Sequence, residues 1–104
     1  MVTLNIKEND AQHALVLLKG ELDTAATEKF TNDLSPLTED AGKKICIDFG
    51  ELKYISSAGM RILLALNRQA LARGGKVSIK GMSQDIHQIF QMTGFDQMFE
   101  IIEQ

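Results

Sequence analysis

The chain has 104 residues, enough for one hydrophobic core and too few for two. It is 44% hydrophobic and 24% charged with a net charge of −3, and its eleven Lys and Arg show no cluster beyond Lys43-Lys44, which argues against a nucleic-acid binder. No apolar run approaches the roughly 20 residues of a membrane span, so direct membrane insertion is not expected. No signal peptide is visible, and the lone Cys46 gives no disulfide framework; both fit a reducing cytoplasm.

Residues 2 to 7 alternate, with Val2, Leu4 and Ile6 apolar and Thr3, Asn5 and Lys7 polar, which predicts a strand. Glu8-Asn9-Asp10 supplies turn chemistry, and the apolar run His13 to Lys19 then predicts the second arm of a hairpin, ended by Gly20. Asp23 or Thr24 can cap a helix to about Leu34, with Ala26, Phe30 and Leu34 on one face. Ser35-Pro36 breaks it, with a further helical turn toward Asp40. Lys44 to Phe49 has little alternation and reads as a central strand buried on both faces, with Cys46 inside it. A loop from Gly50 to Ile55 leads into the longest helix, about Ala58 to Ala72, which Gly74-Gly75 stops. Lys76 to Lys80 reads as another strand. Ser83 caps a helix ended by Gly94, Phe95 to Met98 forms a short turn, and Phe99 to Ile102 is a last edge strand.

The order β-β-α-β-α-β-α-β implies one α/β domain spanning 1–104, a mixed sheet of about five strands with helices mainly on one face. On the long helix Met60, Leu63, Leu64 and Leu71 form one apolar side. Ile62, Leu66 and Ala70 form a second stripe, for the core or for a partner.

Intrinsic catalysis is not expected. His13 and His87 have nothing that fixes a triad around them, Ile55-Ser56-Ser57-Ala58-Gly59 is not a Gly-x-Ser-x-Gly elbow, and no nucleotide-binding glycine pattern occurs. One Cys and two scattered His cannot cluster as a metal site, and no cofactor is implied.

The informative stretch is Tyr54-Ile55-Ser56-Ser57-Ala58-Gly59-Met60-Arg61. It reads as a strand exit, two hydroxyls and a helix start, so Ser57 falls at or near a helix N-terminus. A hydroxyl there can cap the first turn, and the free N–H groups and the helix dipole also favour a phosphate. Glu21, Asp23 and Asp48 are acidic groups at strand ends, where open parallel sheets place their partner sites. For Asp23 and Asp48, simple capping competes with a partner role.

Gly20-Glu21-Leu22-Asp23, then Ile47-Asp48-Phe49 with Tyr54 to Met60, resembles the STAS domain of bacterial anti-sigma factor antagonists; Gly74 to Val77 and Ile89 to Phe95 are similar as well. The resemblance implies a phospho-switch. An unmodified antagonist holds an anti-sigma factor that is also a serine kinase, the kinase phosphorylates a serine at the helix start, and a phosphatase restores it. Aligned on Gly59, the family Asp-Ser-[Ser/Thr]-Gly motif puts that serine on Ser57, the Asp position on Ser56 and the following hydroxyl position on Ala58. Ser56 is thereby a competing acceptor, and Asp23 matches the family acid on the kinase-facing site. The partner surface expected is Glu21, Asp23, Ser56, Ser57 and Arg61, on a monomer. Arg61 can pair with a phosphate or a partner carboxylate, or stay solvated. Repulsion of a phosphate by Asp23 and Asp48 would release the partner. The alternative keeps the fold without the switch: a scaffold subunit of a lipid-transport or sensory complex.

Overall fold

The computed structural model describes residues 1–102. Five strands, β1 (Val2–Asn9), β2 (His13–Leu22), β3 (Lys44–Ile55), β4 (Lys76–Lys80) and β5 (Glu100–Ile102), form one sheet in sequence order. β1 and β2 are an antiparallel hairpin, and β2-β3, β3-β4 and β4-β5 are parallel. The parallel pairs need crossovers, which α1 (Thr27–Asp33) with α2 (Ser35–Thr38), α3 (Ser57–Ala72) and α4 (Gln84–Thr93) supply. The mixed α/β sheet with its predicted element order is the fold observed.

The hairpin turn is held from within. The Gln12 and His13 N–H groups each donate to Asp10 Oδ1 at 2.8 Å, and these two bonds hold the Asp10 carboxyl below the ordinary carboxylate value. Lys43, nearly buried, donates from Nζ to Asn9 Oδ1 at 2.6 Å and to the Asp10 carbonyl at 2.9 Å, and lies 3.2 Å from Asp40 Oδ2. A buried ammonium needs such partners, and they fasten the hairpin to the start of β3.

The sheet is one-sided. Val16, Leu18, Leu22, Ile45, Ile47, Phe49, Val77 and Ile79 point under the helices and are buried. Leu15, Leu17, Cys46 and Asp48 alternate with them and are half-exposed on the other face. The expected two-faced burial of β3, with a buried thiol, is therefore corrected: period-2 alternation is present, but its outward positions carry Cys46 and Asp48, one of which reads as apolar. Two further boundaries move. β2 does not stop at Gly20, which takes a φ of +88° and continues the strand to Leu22. The expected loop 50–55 is the second half of β3, paired with β2 through two register shifts.

Each helix buries one stripe. Phe30 and Leu34 of the first crossover are buried as predicted, and Ile86 and Phe90 of α4 are buried too. Phe90 meets Phe49 edge-on, with ring centroids 6.0 Å apart, and also lies 6.0 Å from Phe99. On α3 the buried set is Gly59, Met60, Leu63, Leu66, Asn67 and Ala70. Leu66 and Ala70 thus join the core with Leu63, whereas Leu71 is exposed, against the expected grouping. Gly94 closes α4 in the left-handed region at φ +79°, where glycine is unstrained.

Candidate functional site

The site forms where β2 and β3 leave the sheet side by side. Leu22 pairs with Ile55, and the Ser56 N–H donates to the Leu22 carbonyl at 2.8 Å. Asp23 follows Leu22 directly. Its carboxylate accepts from the Ala26 N–H at 2.9 Å and caps a 3₁₀ turn, Thr24–Ala26, ahead of α1. Chain pairing thus brings Asp23 and the two serines to one edge.

The two hydroxyls have different tasks. Ser56 is buried and is the N-cap of α3; its Oγ accepts from the Gly59 N–H at 3.1 Å, and its carbonyl accepts the first helical bond from Met60 at 3.0 Å. Ser57 is the first helical residue and is exposed. The Ser57 and Ala58 N–H groups have no acceptor among the described residues, as the first turn of a helix requires. The Ser57 hydroxyl is open to solvent and takes no part in the cap, whereas freeing the Ser56 hydroxyl would mean unmaking the cap. Ser and Asp are both favoured N-caps, so Ser56 performs the structural task that an Asp would perform there.

These assignments predict unequal stability effects. Ser56→Ala is expected to cost about 1 kcal/mol through the lost cap, whereas Ser57→Ala stays within about 0.5 kcal/mol of the parent. Urea unfolding of both variants measures the difference.

Arg61 lies one helical turn beyond Ser57 on the same exposed face, where i and i+4 side chains are neighbours. It has no carboxylate within 4.0 Å among the described residues. Glu21 is exposed and lies opposite Tyr54 across the β2-β3 pair. Tyr54 is a member of the site that the sequence reading quoted but gave no role. It is 45% exposed beside Glu21, a large aromatic of the kind that anchors interfaces. Asp48 does not belong to the site. It sits on the open face opposite Leu17 and Lys80, its Oδ1 accepting from the Gly50 N–H at 2.8 Å. At about 3.3 Å per strand residue it is on the order of 20 Å from the exit of β3, well beyond a Debye length of about 8 Å. Its expected share in repelling a phosphate is withdrawn. No cluster of three or more His, Cys, Asp or Glu that could hold a metal occurs among the described residues, and no described helix is long and apolar enough to cross a membrane.

A one-sided five-stranded sheet, with an exposed serine opening the helix after its central strand, defines a small α/β domain of the STAS type. A family model described as "Mlab, STAS domain" matches residues 6–103, and the chain belongs to that family. Among curated relatives, the anti-sigma-B factor antagonist of Listeria monocytogenes is 25% identical over 100 residues, covering 96% of this chain and 88% of its own. The anti-sigma factor antagonist SpoIIAA in its unphosphorylated form superimposes with a TM-score of 0.80 at 21% identity, over 98% of this chain and 88% of that one. The phosphorylated form of the Bacillus cell fate determinant SpoIIAA gives 0.72 at 20% identity, over 98% and 91%. At that identity the structures establish a shared fold.

Proposed function

We propose that this chain is a cytoplasmic anti-sigma factor antagonist, a non-catalytic binding module whose hold on its partner is switched at Ser57. The observation that carries the reading is the division of labour between the serines: Ser56 is buried as the cap, and Ser57 is presented to solvent at the helix start. The names of the Listeria relative and of SpoIIAA support it. Unmodified, the edge bearing Glu21, Asp23, Tyr54, Ser57 and Arg61 docks an anti-sigma factor that is also a serine kinase. That kinase supplies ATP and magnesium, transfers phosphate to Ser57 and dissociates; a phosphatase resets the site.

The energetics suffice. A phosphoserine carries about −1.5 to −2 charges. Against one partner carboxylate docked at about 8 Å, at an effective dielectric near 20, this costs on the order of 4 kcal/mol before screening. A third of that weakens binding tenfold. The helix start offsets part of the cost within this chain, so the fold survives modification.

Mass spectrometry after incubation with the cognate kinase and ATP tests the reading. Phosphate is expected on Ser57 and absent from Ser57→Ala, with partner affinity at least tenfold weaker for the phosphorylated chain. Label retained in Ser57→Ala, or equal affinity of both forms, overturns it. The second reading, a scaffold subunit of a lipid-transport or sensory complex, draws on Ser56, which leaves the kinase-type Asp missing from the motif. It predicts co-purification with membrane transporter components and no phosphate on either serine.

A further inference from the structure

Charge is segregated along this chain. From Leu52 to Gln84 there is no acidic residue and there are six basic ones, Lys53, Arg61, Arg68, Arg73, Lys76 and Lys80, in a protein whose net charge is −3. α3 lies within this stretch and is bare of counter-charge. Arg61 and Arg68 are both exposed, and neither has a carboxylate within 4.0 Å among the described residues. Seven residues apart, they fall on one stripe with Ser57, separated by about 10 Å along the helix axis.

Directly beside that stripe is a slot of about 210 Å³ between α3 and the α1–α2 crossover. Leu34, Ile62, Ala65 and Leu66 line it, with Thr31 and Gln69 among its rim residues. Ala65 is central: a small side chain between Arg61 and Arg68 leaves the slot open where a larger one would fill it. The surface therefore has an apolar furrow beside two guanidinium groups two turns apart, neither of them paired with a carboxylate among the described residues. A helix laid in such a furrow presents an apolar seam at i, i+3, i+4 and i+7. Acids seven residues apart on its flank would meet both arginines.

We propose that the furrow along α3 docks an amphipathic helix of the partner protein, with an aliphatic seam in the slot and carboxylates paired with Arg61 and Arg68. Charge complementarity selects this occupant: a basic helix would face two uncompensated cations, and a neutral one would leave them unused. The inference rests on the antagonist reading for the partner's identity, though not for the chemistry of the furrow. It also gives the switch a second component. A phosphate on Ser57 sits one turn from Arg61, and would draw that guanidinium away from the partner's acid.

The experiment uses the full unphosphorylated chain, ¹⁵N-labelled, and two synthetic helical peptides of about 18 residues, long enough to hold a helix. Both carry the same leucine seam; one is flanked by glutamates seven apart and the other by lysines. The glutamate peptide is expected to bind at least tenfold more tightly, with chemical-shift changes confined to α1, α2 and α3 and affinity falling as salt rises. In Arg61→Glu/Arg68→Glu the preference reverses toward the lysine peptide. Equal binding of both peptides, no binding of either, shifts on the open sheet face, or a dimer that covers the furrow in sedimentation each overturn the proposal. Kinase and phosphate are absent from this assay, so its failure leaves the Ser57 switch standing, and failure of the switch leaves the furrow standing.

Discussion

Asn67→Leu is expected to destabilise the domain by about 3 kcal/mol, read as a lower urea midpoint with an unchanged slope, and to lower Tm by roughly 15 °C. Asn67 is buried in the middle of α3, facing the core rather than solvent. Its Oδ1 accepts from the Val77 N–H at 3.0 Å, and its Nδ2 donates to the Met98 carbonyl at 2.7 Å. One side chain thereby joins α3 to the start of strand β4 and to the segment that enters β5. Leucine has the same branched side-chain skeleton, with bulkier methyl ends, and is the better helix former, by a few tenths of a kcal/mol. The unpaired groups dominate instead. The Val77 N–H is buried without an acceptor at about 1 to 3 kcal/mol, and the Met98 carbonyl, nearer the surface, recovers water in part. Against a total stability of about 5–15 kcal/mol the loss is large, and it is a loss of the scaffold that sets the angle of the helix bearing Ser57 and Arg61.

Asn67 also marks where sequence reading stops. The hairpin, the crossovers and the cap-to-glycine span of α4 are legible because alternation, turn residues and Ser83…Gly94 all point the same way. An isolated Asn in a helical pattern carries no periodic signal, and its partners are 10 and 31 residues away. The misplacement of Asp48 has a related origin. Gly50-Glu51 looks like a turn, so β3 seems to end near Phe49 and Asp48 seems to stand at the site; pairing with β2 through bulges carries the strand on to Ile55. The Ser56-Ser57 step itself is legible, since a strand exit followed by hydroxyls and an apolar helix has few other readings. Which hydroxyl caps and which is presented depends on a one-residue phase, and only coordinates supply that. The solitary state of Arg61 and Arg68 likewise depends on what the fold brings near them.

Gly59→Val is expected to remove partner binding by more than tenfold at a stability cost of about 3 kcal/mol, while Gly59→Ala loses nearly as much affinity for about 1 kcal/mol. Gly59 is three residues into α3 and is not there for a turn; its φ is negative, and a glycine in a helix is unfavourable by about 1 kcal/mol relative to alanine. The reason is proximity. A Cβ at this position would lie 2.7 Å from Leu22 Cγ and 2.9 Å from Leu22 Cδ2, with Ile55 Cγ1 at 3.3 Å, and Leu22 is fully buried and cannot swing away. Overpacking of this kind costs about 1–3 kcal/mol, which exceeds the gain in helix propensity for alanine and grows with the two methyls of valine. What yields is the first turn of α3, because its other side faces solvent at Ser57 and Arg61. A displacement of a few tenths of an ångström to one ångström there stretches the Ser56 cap and moves Ser57 relative to the Asp23 turn, while the rest of the core keeps its packing. Pull-down with the anti-sigma partner, set beside urea unfolding of the same two variants, separates the effects. Affinity falling in proportion to stability would mean that Gly59 serves the fold alone; a tenfold loss in the alanine variant, still folded and cooperative, ties the close approach of α3 to β2 directly to recognition.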